Sequence, residues 1–403
     1  MSGAGAAGTF PRVGLSIAAS ILLGSYALAA WGSGFDRMSN VSPALERLVP
    51  APFRAQADRS AATIALLRGD MAAASSDATA AVLEDPLDPL SNSLLGSALA
   101  SRNDPRGEEA FRIAAARGWR DRLTQLYWYG IALESGDAER AALRADALLR
   151  TDPYSTTGSA LLEPLEASPA GRAALAHRLA SNPGWARPYL AGETDAGELR
   201  LKSGIALLAA RQGNAMDCDT PRPLVGSLLA QGMRSEAESL WRAACGDKDL
   251  AGIPPGGLVD GGFERFAAAD PGSAPFGWRG QASGDVTVEP VARGDGKALI
   301  LRNTASVSRL VLSQPLALAP GGYRVRANIR PGSGSAEGGV AFSLDCGARP
   351  RRPATTAGDP AGSGQALTAG SCAGQVLGLW LRPGSDITLD DVTIVKAGTG
   401  KTG

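Results

Sequence analysis

The chain has 403 residues, 44% of them hydrophobic, enough for two or three domains with real cores and too many for a disordered chain. Its 40 basic and 40 acidic residues cancel, which excludes the broad positive field of a nucleic-acid-binding protein and leaves partners to be recognised locally. A single histidine, His177, excludes a multi-histidine metal site and argues against a Ser-His-Asp hydrolase.

Residues 1–12 read as a cytoplasmic tail. Val13 to Phe35 then runs 23 residues without a charge, and a helix needs about 20 to cross a hydrocarbon layer. Tyr26 and Trp31 sit near the end of the run, where interfacial aromatics belong. The segment reads as a retained single-pass anchor. Ala27-Leu28-Ala29 also offers small residues at the spacing of export-signal cleavage, so anchor and cleaved signal both stay open. Orientation comes from cysteine: Cys218 and Cys245 fall in one region, Cys346 and Cys372 in another, and neither pair has zinc-site spacing. Two intradomain disulfides are expected, in an oxidising compartment such as a periplasm; four free buried thiols in the cytosol are the alternative.

Residues 42–246 read as helical. Asp85-Pro86, Asp104-Pro105, Asp152-Pro153 and Asn182-Pro183 mark stops and restarts, because proline has no amide to donate and restricts its predecessor. Between them apolar residues recur at helical steps, as in Ile64, Leu67, Met71 and Leu126, Tyr129, Leu133. Gly69-Asp70, Asn103-Asp104 and Gly136-Asp137 punctuate the chain at intervals of 34 and 33 residues, the period of a helix–turn–helix solenoid, and Gly232 with Ala237, Trp241 and Ala244 adds another turn. Small alanines after each turn allow two helices to approach closely. Trp119, Tyr127, Trp128 and Tyr129 form the densest aromatic cluster, either part of a groove or filling between repeats. Residues 154–202 follow the pattern poorly.

Residues 247–257 are rich in Gly and Pro and read as a linker. From 258 to 398 the period changes to alternation: Tyr323, Val325, Ala327 and Ile329 on one face, Arg324, Arg326, Asn328 and Arg330 on the other. Similar runs at 286–291, 298–301, 310–312, 340–344, 376–381 and 387–395 predict an antiparallel β-sandwich, with a short tail at 399–403. Cys346 and Cys372 flank the loop 348–370. The fold class is therefore multidomain α plus β: an N-terminal transmembrane helix, a helical solenoid and a C-terminal β-sandwich.

The helical half, with its Gly-Asp turns, resembles tetratricopeptide-repeat proteins. In the C-terminal half, Val259-Asp260-Gly261-Gly262-Phe263-Glu264, Pro275-Phe276-Gly277-Trp278 and Leu389-Asp390-Asp391-Val392-Thr393-Ile394 resemble, in that order, motifs of carbohydrate-binding modules of the galactose-binding-like jelly-roll type. Anchor, repeats and jelly roll together resemble accessory proteins of exopolysaccharide production in alphaproteobacteria. The resemblance implies a structural calcium held by Glu264 and either Asp390 or Asp391, a staple and not a catalyst; exposed or turn-capping carboxylates are the simpler reading. It also implies glycan binding, which needs an aromatic face and directed polar groups. Trp380, out of phase with Leu377, Leu379 and Leu381, and Tyr323 are the candidate aromatics. Arg324, Arg326 and Arg330 are candidates for bidentate contact with uronic-acid carboxylates, unless the row is a solvated face.

The Gly-rich runs, Gly332-Ser333-Gly334-Ser335 among them, lack the Lys and helix of a phosphate loop. No catalytic residues are assigned and no cofactor is required. The expectation is a non-catalytic, inner-membrane-tethered periplasmic adaptor. Its repeats bind a protein of a polysaccharide or envelope assembly machine, and its sandwich binds a polysaccharide or second partner. A pure protein–protein scaffold with a structural sandwich is the first alternative, a glycan-active enzyme the second.

Overall fold

The structure, a computed structural model, describes residues 10–39, 41–153, 158–212, 216–247, 249–266, 275–332, 339–353 and 364–397. Most of both tails, the Ser333–Ser335 part of the Gly-rich run and part of the 348–370 loop lie outside those residues. The chain divides into two compact units, residues 1–151 and 152–403.

The first unit is helical: α1 (Phe10–Ser39), α2 (Ala55–Leu67), α3 (Met71–Glu84), α4 (Pro89–Ala100), α5 (Arg106–Arg117), α6 (Arg122–Glu134) and α7 (Ala138–Thr151). The Gly-Asp cadence has a common backbone cause. Gly69, Asn103 and Gly136 all have positive φ, at 78°, 57° and 71°. At each of them the next residue's amide reaches back five residues, Asp70 to Ala65 O, Asp104 to Leu99 O and Asp137 to Ala132 O, at 2.9–3.0 Å. This double closure of a helix C-terminus favours a residue that tolerates the left-handed region, hence Gly or Asn. The following Asp then caps the next helix: Asp70 accepts from Ala73 N and Asp137 from Arg140 N, both at 3.0 Å. Each turn thus pairs α2 with α3, α4 with α5 and α6 with α7. Ala62, Ala65, Ala74, Ala78 and Ala98 are buried where these helices meet, so a larger side chain there would force the helices apart.

α1 is continuous with this unit. Its stretch Ser16–Ser39 is long and apolar enough to cross a membrane and is almost wholly uncovered by the rest of the chain. Its last turns are different. Gly32 lies against the Phe53 ring, where a Cβ would collide. Asp36 is buried, and its two oxygens accept Gln56 N and Ala57 N of the first turn of α2, each at 2.9 Å. A carboxylate from α1 thereby caps α2 across a sequence separation of 20. Replacing Asp36 with Ala is expected to cost about 1–2 kcal/mol locally. Amide exchange at Gln56 and Ala57 should then quicken about tenfold; unchanged rates would show that the cap is dispensable.

Among the described residues the second unit joins six further helices to the sandwich: α8 (Gly158–Glu166), α9 (Pro169–Leu179), α10 (Ala186–Leu190), α11 (Ala196–Ala210), α12 (Arg222–Ala230) and α13 (Arg234–Cys245). Gly232, with φ at 73° and Met233 N bonded to Leu228 O at 2.8 Å, repeats the turn geometry of the first unit between α12 and α13. The strands are β1 (Arg279–Gly280), β2 (Val286–Arg293), β3 (Gly296–Asn303), β4 (Arg309–Leu316), β5 (Gly321–Pro331), β6 (Val340–Cys346), β7 (Gln365–Ala369), β8 (Gln375–Leu381) and β9 (Asp386–Lys396). They form two antiparallel sheets, in the orders β1-β4-β8-β6 and β2-β3-β9-β5-β7. Between them lies a core of aliphatic residues with Phe263, Phe266, Trp278 and Phe342. β7, inside the stretch read as loop, pairs with β5 as an edge strand.

The boundary between units thus falls at 151/152, and the stretch 247–257 read as a linker runs inside the second unit. Leu250 is fully buried among α11, α12 and α13 residues. Gly256 N donates to Glu238 at 2.9 Å, and Gly256, with φ at 72°, lies so close to Ala317 O that a Cβ would collide with it. Glycine and proline here serve tight packing rather than freedom, a distinction that composition does not carry.

Both expected disulfides are present, Cys218–Cys245 and Cys346–Cys372, with Cα separations of 5.4 and 6.0 Å. They fit an oxidising location.

Candidate functional site

Among the described residues the most deeply buried charge is on helix α13. Arg234 is wholly inaccessible to solvent. Its guanidinium meets Glu238 at 3.3 Å, donates to Pro315 O at 3.2 Å and Gly257 O at 3.4 Å, and lies 4.2 Å from the centre of the Phe276 ring. Burial lowers its pKa to about 10 despite the Glu238 charge beside it. Glu238 also accepts two bonds from Arg242, at 2.8 and 2.9 Å, and Arg242 bonds Ile253 O and Asp247. Arg234, Glu238 and Arg242 stand four apart on one helix face, the spacing that lets such side chains meet. Sequence reasoning passed over this network for the alanines and Trp241 around it. It fastens α13 to the 253–257 segment and to β4.

The residues read as a glycan site do not meet. Tyr323 is buried on the inner face of β5, its hydroxyl donating to Ala319 O at 2.9 Å. With its side chain buried, it has no stacking surface to offer. Arg324, Arg326 and Arg330 are exposed on the outer face of the five-stranded sheet, as the alternation requires. Acidic side chains interleave with that face: β9 places Asp390 opposite Asn328, and Asp386 pairs with Arg302 at 3.1 Å. Trp380 belongs to the other sheet, half-buried on its outer face, with Nε1 donating to Ser343 Oγ at 3.1 Å. The Arg row and Trp380 therefore look outward from opposite sides of the sandwich.

The three carboxylates assigned to calcium have other partners. Glu264 accepts Lys297 N at 3.0 Å, and the Lys297 ammonium donates to Glu264 O at 2.8 Å, so a protein cation already stands at that carbonyl. Asp390 forms an ion pair with Arg293 at 2.7 Å. Asp391, with φ at 50°, is at a bulge: Arg326 pairs with Thr393 but Asn328 with Asp390, so β9 holds one residue more than β5. Among the described residues no three His, Cys, Asp or Glu side chains gather as a metal site would need. This donor set does not fit a calcium ion.

The outer face of the four-stranded sheet has a composition of its own. Register places Arg279 beside Ser313, Ser313 beside Gly378, and Gly378 beside Ser343, one row across all four strands. Trp380 stands next along β8, between Leu310 and Ala341. A Cβ on Gly378 would come within 2.6 Å of Pro350, 2.9 Å of Ser343 Oγ and 3.1 Å of Trp380 Nε1, so its absence lets the 349–352 segment lie down over the sheet. Arg382 continues the outward column of β8, its amide bonded to Gly339 O at 2.8 Å. The Arg382 Nε is buried and unbonded. Burial pushes the Arg279 pKa below its ordinary value. Among the described residues neither guanidinium has an ion-pair partner, nor do Arg349, Arg351 and Arg352. Asp345 lies on this face and accepts Arg351 N at 2.8 Å.

Within the first unit, Trp119 is 53% exposed, with the Arg144 guanidinium 4.6 Å from its ring centre. Tyr129 is buried and Tyr127 stacks on Phe111 at 4.0 Å, so the aromatic cluster is mostly packing, with Trp119 its outward member. His177 is exposed and contacts Gln212 through Nδ1 at 3.1 Å. Comparison with known proteins found no family model that matches this chain and no curated protein that matches it.

Proposed function

We propose that this protein is a non-catalytic adaptor tethered in an inner membrane, with its bulk in the periplasm. Tetratricopeptide-like hairpins would grip a protein partner, and a jelly-roll sandwich would hold a polysaccharide, in exopolysaccharide or envelope assembly. The observation that carries the reading is the joint at Asp36: an apolar helix of membrane-spanning length is capped directly into a stack of hairpins, the construction of a fixed platform. Both disulfides suit the periplasmic side. A photo-crosslinking residue at Trp119 or at exposed Leu67, in the full chain in its native membrane, should capture a discrete envelope protein. Crosslinks to lipid alone at every exposed hairpin position would refute the protein-binding role.

The purely structural sandwich draws support from the dispersal of Tyr323, Trp380 and the Arg row over three surfaces. Under that reading polysaccharide would bind nowhere on the second unit.

A further inference from the structure

We propose that the outer face of the four-stranded sheet binds an acidic polysaccharide, with Arg279 and Arg382 taking sugar carboxylates and Trp380 taking a ring face. The inference rests on the glycan-holding part of the proposed function and relocates it from the Arg324 row. The ground is an imbalance between the two outer faces. On the five-stranded sheet acids answer arginines directly: Arg302 pairs with Asp386 and Arg293 with Asp390. On the four-stranded sheet the side chains of Arg279 and Arg382 are partly buried with no ion-pair partner among the described residues, and the Arg382 Nε is buried and unbonded. A desolvated cation without a counter-charge is unfavourable, and a carboxylate arriving from outside relieves it with a charge-assisted, bidentate contact. Three further arginines, Arg349, Arg351 and Arg352, are carried over the same face by Pro350 on Gly378.

The remaining groups point to a sugar rather than an acidic peptide. Trp380 is fixed by its bond to Ser343, so the part of its ring that reaches the surface is pre-set and loses little freedom on contact. Register sets Arg279 one strand from Ser313 and two from Gly378, so with strands about 4.8 Å apart its guanidinium stands within a sugar's width of the Trp380 column. Aromatic surface and guanidinium side by side match a pyranose bearing a carboxylate.

The test is affinity electrophoresis of the full chain in mild detergent, through gels containing polygalacturonate, dextran or poly-L-glutamate. Polygalacturonate should retard the protein. The double variant Arg279→Gln, Arg382→Gln should raise the apparent Kd about tenfold or more, the effect of losing charged hydrogen bonds. Trp380→Ala should weaken retardation by a similar factor and Trp380→Phe restore most of it. Arg324→Gln with Arg326→Gln should change it less than twofold. An unaltered unfolding midpoint in the glutamine variants separates lost binding from lost folding. Retention of full affinity by Arg279→Gln, Arg382→Gln, or its loss in the Arg324 and Arg326 variant, overturns the assignment. Retardation by dextran alone overturns the acidic ligand and leaves a glycan role. Equal retardation by poly-L-glutamate that ignores Trp380→Ala overturns the sugar, and no retardation by any polymer removes the glycan role as well.

Discussion

Arg234→Ala is expected to destabilise the second unit by about 3–5 kcal/mol, the largest effect of any single substitution considered, because it leaves Glu238 charged and buried without its partner. Two backbone oxygens, Pro315 O and Gly257 O, lose their donor at the same time, and the Phe276 ring loses the group packed on it. Urea unfolding of the full chain, followed by tryptophan fluorescence, reads this directly because Trp241 lies near Phe276, their ring centres 6.1 Å apart. Arg234→Met combined with Glu238→Gln should recover part of the loss, since the pair is then removed together and the volume kept. A loss below about 1 kcal/mol for Arg234→Ala would mean that water reaches Glu238 and that the network is not what fastens α13 to the sandwich.

Removing Cys346–Cys372 ranks second. The bond closes a 26-residue separation, and the loop entropy it withholds from the unfolded chain is worth about 3–4 kcal/mol. Its position adds to that. Cys346 ends β6 in the four-stranded sheet, and Cys372 follows β7 in the five-stranded sheet, so the bridge ties the two layers where the chain passes between them. Edge strand β7, only Gln365–Ala369, is held by its pairing with β5, by Leu367 against the core and by the Gln365 amide, which bonds Phe342 N and O at 2.8 and 2.7 Å. Cys346→Ser with Cys372→Ser should therefore lower the thermal midpoint and speed amide exchange in β7 first. Equal midpoints with and without reductant in the unmodified protein would count against a structural role for the bridge.

What could be read from the residues alone follows from how local the cause is. The turns at Gly69, Asn103 and Gly136 were legible because one backbone conformation favours Gly or Asn, and at these three the Asp that follows accepts an amide at the start of the next helix. The Tyr323 to Arg330 alternation gave β5 its correct faces, since the extra residue of the bulge sits on β9 and leaves β5 in phase. The cysteines paired within regions as counted. Other features depend on partners far along the chain. Asp390 and Asp391 looked like ligands, yet one answers Arg293 and the other turns a bulge, and neither role has a local signature. β1 is two residues long and β7 lies in a Gly- and Thr-rich stretch, so neither shows a period. The 247–257 segment has a linker's composition and a packed loop's contacts. Arg234 could be seen as one of an Arg-Glu-Arg series four apart, but not as buried, because what buries it comes from residues 257, 276 and 315.

The joint between α1 and α2 has a mechanical corollary. To bend there, the chain must break both bonds to Asp36 and lift Phe53 off Gly32, so the stem has no free swivel. Any tilt or twist imposed on the apolar stem is passed on, as by a lever, to the hairpin that begins at Ala55, and a load on that hairpin pulls back on the stem.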